Sequence, residues 1–207
     1  MKFEIMSKCS TVLTTYITLL EDLNMLNKET ESRVINENPD MFIINNVNFF
    51  TKSFMITVCA YLESFLKDIT MIVIDDANDK LSKVNIAYNL AKWSILKKKD
   101  LTEMNDNELL YEQLSIKITK KELDDFISGS PYKTEKLFKK IGIKLFENEI
   151  YKSQKEKVIS IVEKRNKIVH HNDSASDISF SDIDTNIKMI KDYIENIVYI
   201  ITIEVEK

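Results

Sequence analysis

Glycine and proline are almost missing from these 207 residues, with two of each. Average usage would give roughly 14 and 10. Sandwiches and barrels need many tight turns, and tight turns need those residues, so an all-β fold is excluded. Cysteine is equally scarce. Cys9 and Cys59 have neither metal-type spacing nor enough partners for a disulfide framework, and they suit a reducing cytosol. No run of about 18 apolar residues occurs, so no membrane-spanning helix is expected. Met1–Ser10 carries Glu4 and has no apolar signal core, so a cytoplasmic location is expected. The net charge is −4, which rules out a globally basic nucleic-acid binder and leaves only a local patch.

Apolar residues make up 44% of the chain, enough for a real core. The spacing predicts an all-α, single-domain bundle (1–207) of about five main helices. The first helix is expected over Phe3–Lys28, with a stripe of Val12, Tyr16, Leu19, Leu20, Leu23 and Leu26. A polar break should cover Asn27–Asp40, with Asn38 capping and Pro39 opening the next helix. That second helix is expected to run to Asp75, broken near Asn45, Asn46 and Asn48. Its stripe is Phe54, Val58, Tyr61, Leu62, Phe65, Ile69 and Ile72.

Shorter helices should fill 78–144. Thr119 with Glu122 forms a capping box, Gly129-Ser130-Pro131 a turn and Gly142 a helix end. A fourth long helix is expected over Glu147–His171. The last opens at Ser179 with Asp182 or Ser181 with Asp184. It carries Ile183, Ile187, Ile190, Ile194, Ile197, Ile201 and Val205 at steps of three and four. Its β-branched tail, Tyr199–Val205, leaves a terminal strand as a lesser alternative.

The segment that carries chemistry is Val158–Asn172. On a helix, Val158, Ile161, Val162, Ile168 and Val169 form one stripe, with Arg165 in its middle. Asn166 and His170 lie one turn apart on one flank, and His171 lies on the other. A guanidinium among aliphatic side chains is costly unless it is paired or serves a site. The structural alternatives are an arginine that snorkels or meets a buried carboxylate, and a histidine that caps a helix.

Arg165-Asn166-Lys167-Ile168-Val169-His170 resembles the ribonuclease motif of the HEPN superfamily: arginine, a polar residue, three further positions, histidine. Phe54–Leu66, an apolar helix with Glu63 embedded, is similar to the RiboL-PSP type of HEPN domain. So is Lys133–Ile143, leading into the motif helix. The resemblance is strongest over 39–205. It implies a helical bundle that forms a homodimer, with two motifs facing one cleft. It also implies cleavage of RNA to 2′,3′-cyclic phosphate ends without metal or other cofactor. Many members of the superfamily are toxins or antiphage effectors, so an antitoxin or sensor partner is expected. Other relatives keep the fold as a non-catalytic interaction or RNA-binding module.

Residue chemistry suits the nuclease expectation. An imidazole ionises near neutrality, so His170 is the candidate base for the 2′-hydroxyl proton. Arg165 can make a two-pronged phosphate contact, and Asn166 can orient His170 or bond the phosphate. His171 is a candidate second acid or base, with a free surface histidine as the alternative. Glu63 is a candidate partner for Arg165 or a histidine. The commoner arrangement for its spacing is a surface pair with Lys67. Lys133–Lys167 holds eleven Lys/Arg against five acids, a balance of +6, with Lys157, Lys164 and Lys167 as candidate RNA contacts. A solvated lysine face is the plain alternative. Tyr132, Phe138, Phe146 and Tyr151 are candidates to stack bases or to fill the core. His170, His171 and Asp173 are too close in sequence to make a closed metal site, so no metal is expected.

Overall fold

The computed structural model describes residues 2–84, 94, 116–171 and 177–206, and among these there is no strand. Its helices are α1 (Lys2–Ile35), α2 (Met41–Asn45), α3 (Val47–Leu81), α4 (Lys120–Leu123), α5 (Pro131–Lys140), α6 (Glu149–His171) and α7 (Phe180–Glu206). A 3₁₀ turn at Leu145–Glu147 leads into α6. The long helices α1, α3 and α7 pack on one another, α6 lies against α3 and α7, and α5 lies against α6. No helix among the described residues is long and apolar enough to cross a membrane.

The expected seam of α7 is the centre of the core. Ile183, Ile187, Ile190, Ile194, Ile197 and Ile201 are all buried. The tail stays helical to Glu206, because its neighbours on α1 and α3 bury those isoleucines along a helical stripe. The N-terminal bonds are reciprocal. Ser179 N–H donates to Asp182 at 2.8 Å and Asp182 N–H donates to Ser179 Oγ at 3.1 Å, a capping box with Asp in the third position. In α3, Phe54, Val58, Leu62, Phe65 and Ile69 are buried. The helix itself runs past the expected end at Asp75 to Leu81, although its last buried residue is Ile74.

Three boundaries differ from expectation. The first helix does not stop at Lys28. Asn27 and Thr30 are buried, and the Asn27 amide donates to the Phe180 carbonyl at 2.9 Å, so these polar residues face α7 rather than forming a break. Leu26, placed in the stripe by spacing, is exposed instead. Asp40, not Asn38, caps α2, accepting from Phe42 N–H at 2.9 Å. The expected break of the second helix falls at Asn46, between α2 and α3.

The Thr119–Glu122 capping box is present on α4. Most of the expected short helices between 85 and 115 lie outside the described residues. Gly142 has φ +84° and ends α5, with Ile143 N–H donating back to Phe138 O at 2.9 Å.

A buried hydroxyl chain positions α5. Tyr193 of α7 donates to Tyr151 of α6 at 3.1 Å, and Tyr151 donates to the Pro131 carbonyl at 3.3 Å. Burial raises both phenols far above their ordinary range, so the chain stays neutral.

Losing the middle of that chain should hurt more than losing its end. Tyr151→Phe removes both hydrogen bonds of the chain and is expected to cost about 2 kcal/mol, against about 1 for Tyr193→Phe, which removes one. Urea unfolding of both variants checks the order, and equal costs would contradict it. Hydrogen bonds from Ser179 hold the Asp182 carboxyl below its usual range. Its contribution is therefore complete above the ordinary carboxylate pKa and fades as pH falls through the lowered one. Ser179→Ala is expected to cost about 1 kcal/mol at neutral pH. That cost should shrink in acid, as thermal melts across pH would read.

Candidate functional site

The motif helix α6 buries Val158, Ile161, Val162 and Ile168. Arg165 sits in the same stripe, its side chain only 16% exposed. Its Nη2 donates to Oε1 of Glu63 on α3, an ion pair spanning 102 residues of sequence. The pair meets the cost of a guanidinium among aliphatic groups. Glu63 does not pair with Lys67 as its spacing had suggested. Lys67 reaches Asp124 beside α4, which leaves the carboxylate to Arg165.

Two residues not marked by the sequence motif complete this arrangement. Cys59 lies one turn before Glu63 on α3, near enough to Arg165 for the guanidinium to act on its thiol. Burial pushes that thiol up to about 11 despite the opposing pull of the guanidinium, so Cys59 is a neutral neighbour rather than a nucleophile. Gly129 has φ +68°, in the region that favours glycine. A methyl group built on it would meet Val162 Cγ2 at 3.4 Å and Glu63 Cγ at 3.5 Å. The Gly129 turn therefore lies directly against the acid of the pair. The four-residue spacing of Cys59 and Glu63 was the readable signal for a shared face, but not for what it meets.

Beyond Arg165 the cover becomes one-sided, with Ile168 still buried. Val169 continues the apolar stripe yet is 48% exposed. Asn166 is half-buried and His170 exposed. Asn166 and His170 are four residues apart and share one face of α6, with Val169 between that face and Arg165. The C-terminal end of the motif helix thus presents an amide, an imidazole and an uncovered valine beside an anchored guanidinium. His171 ends α6, and its side chain lies outside the described residues, as does Asp173. Among the described residues no three His, Cys, Asp or Glu side chains are grouped to hold a metal ion.

The lysines divide. Lys167 is exposed on the outer side of α6. Lys157 and Lys164 turn to the other flank, along a cleft of about 430 Å³ walled by Met55, Ile161, Ile178 and Met189. Lys164 bonds Asp177 there at 2.6 Å. These two are therefore not brought to the face of Asn166 and His170. Of the aromatic residues, Phe138 and Tyr151 are core, whereas Tyr132 and Phe146 are exposed.

Neither the curated proteins nor the solved structures gave a match. Residues 15–202 match the family described as RiboL-PSP-HEPN, a span that begins within α1 and takes in α3, the Gly129 turn and the whole motif helix. A match over this much of the chain, on an all-helical structure, means that the protein belongs to the RiboL-PSP-HEPN family of the HEPN superfamily.

Proposed function

We propose that this protein is a metal-independent endoribonuclease, acting as a toxin or antiphage effector from one domain in the cytoplasm. The family supports a nuclease or RNA-related role, and HEPN domains generally bind RNA and often dimerise. The observation that carries the reading is the end of α6. There Glu63 anchors Arg165 at the edge of the buried stripe, and half-buried Asn166 and exposed His170 follow it one helical turn apart on one face.

His170 takes the proton from a ribose 2′-hydroxyl, and the 2′-oxygen attacks the adjacent phosphorus. The bond to the 5′-oxygen breaks, leaving a 2′,3′-cyclic phosphate and, once protonated, a 5′-hydroxyl. Arg165 faces the charge that develops on the phosphate oxygens. Asn166 bonds the phosphate or steadies the imidazole. His171, next in sequence, is the candidate to protonate the leaving oxygen. The exposed Val169 offers an apolar contact at which a second copy would bring its own motif alongside. An antitoxin or sensor would restrain the activity.

A second reading is a non-catalytic module. The engagement of Arg165 by Glu63 favours it, since an interhelical bridge needs nothing more.

Incubation of the purified protein with total RNA in EDTA separates the two. Wild type is expected to cut, with His170→Ala lowering the rate about 10²–10⁴-fold and Arg165→Ala about 10²–10³-fold. RNA left as intact by wild type as by His170→Ala would reject the nuclease. Glu63 is a positioning residue. Glu63→Gln is expected to lower kcat about tenfold or more, with KM little changed, and Glu63→Asp to restore part of it. A drop in Tm without a drop in kcat at low temperature would reduce Glu63 to a structural role.

A further inference from the structure

The helix α5 starts two residues after Gly129, so it leads outward from the Glu63–Arg165 pair. Thr134, Leu137 and Phe138 face inward and are buried. On the opposite side, Tyr132, Lys136, Lys139 and Lys140 fall within about 100° of one another, with Lys133 at the edge. All five are exposed. The only acid in α5 is Glu135, and Lys155 of α6 bonds both its oxygens at 2.9 and 3.1 Å. The face that remains is therefore wholly cationic. This concentrates positive charge in a chain whose net charge is −4.

Each end of this face carries an aromatic ring with an ammonium over it. The Lys155 amine lies 4.2 Å from the centroid of Tyr132, and the Lys140 amine 3.8 Å from that of Phe126. The rings are not core: Tyr132 is 54% exposed and Phe126 39%. From Tyr132 to Lys140 the helix rises about 12 Å, room for a few successive nucleotides of an extended strand. Lysines that track phosphates, interleaved with open rings, make a platform for unpaired bases. A duplex keeps its base faces stacked inside and cannot use the rings.

We propose that the outer face of α5 is the docking track for a single-stranded RNA segment flanking the cleaved bond. Bases stack on Tyr132 and Phe126, and phosphates meet Lys133, Lys136, Lys139 and Lys140. The inference rests on the RNA reading above and adds the strandedness of the substrate.

The test uses the wild-type chain and a short labelled 2′-O-methyl oligonucleotide, which lacks the attacking hydroxyl and cannot be cut. Fluorescence anisotropy across a KCl series compares it with the matching duplex. The single strand is expected to bind about tenfold more tightly. Lys136→Ala with Lys139→Ala should weaken it about tenfold at low salt. The same pair should flatten the slope of log Kd against log salt by about 1.4, at roughly 0.7 per phosphate lost. Tyr132→Ala should weaken it about tenfold while leaving that slope unchanged. Equal binding of duplex and single strand would overturn the track. So would affinities that none of these substitutions moves, which would hand the face to an acidic protein partner. Cleavage of total RNA, scored separately, keeps the two readings apart. Binding that responds to the variants in a protein that cuts nothing leaves the track and removes the nuclease. Unmoved affinities in a protein that still cuts remove the track alone.

Discussion

A guanidinium set among valines and isoleucines is tolerated only if something of opposite charge reaches it. In this protein that something is Glu63, delivered from α3 to Arg165 on α6. The pair draws in what surrounds it. Cys59 packs one turn below the acid, and the Gly129 turn lies so near that a methyl group there would be in van der Waals contact with Val162 and Glu63. An ion pair between helices also fixes which turn of α6 faces which turn of α3, because sliding either helix by one turn would leave a half-buried charge without a partner. The register of the motif helix, and so the direction in which Asn166 and His170 emerge, follows from that constraint.

The rest of the fold holds α3 and α6 still enough for the pair to form. Rows of isoleucine on α7 fill the space between α1 and α3, and α6 closes against them. Polar groups inside this apolar mass are placed rather than scattered. Asn27 ties α1 to the start of α7, and the Tyr193–Tyr151–Pro131 chain ties α7 and α6 to the start of α5. Through Pro131, that last chain places the Gly129 turn beside Glu63 and sends α5 away from it. Site and cationic face are thus joined through the short Gly129–Pro131 segment. This concentrates positive charge locally in a protein that is acidic overall.

Patterns governed by neighbours three or four residues apart were readable from the chain alone. The seam of α7, the stripe of α3, the capping boxes at Thr119 and Ser179, the break at Asn46 and the odd placement of Arg165 all belong to this class. Each depends on helical periodicity or on a side chain bonding backbone close to itself. The same local logic misled where a distant partner intervened. Asn27 and Thr30 look like a helix end until α7 covers them. Glu63 and Lys67 look like a surface pair until Asp124 and Arg165 separate them.

Periodicity also says nothing about which flank of a helix is covered by a neighbour. Lys157, Lys164 and Lys167 seemed alike as charges near the motif, yet only the packing of α7 and Asp177 turned the first two to another cleft. Val169 belongs to the core stripe by spacing and is nevertheless open to solvent, although Ile168 beside it is buried, because the packing at this end of α6 covers only one side of the stripe. Composition and spacing thus decided helix, stripe and motif, since those follow from bonds and angles along the chain. Partner choice across 102 residues, and the exposure of the motif's end, came from the way the helices cross, which no local spacing encodes.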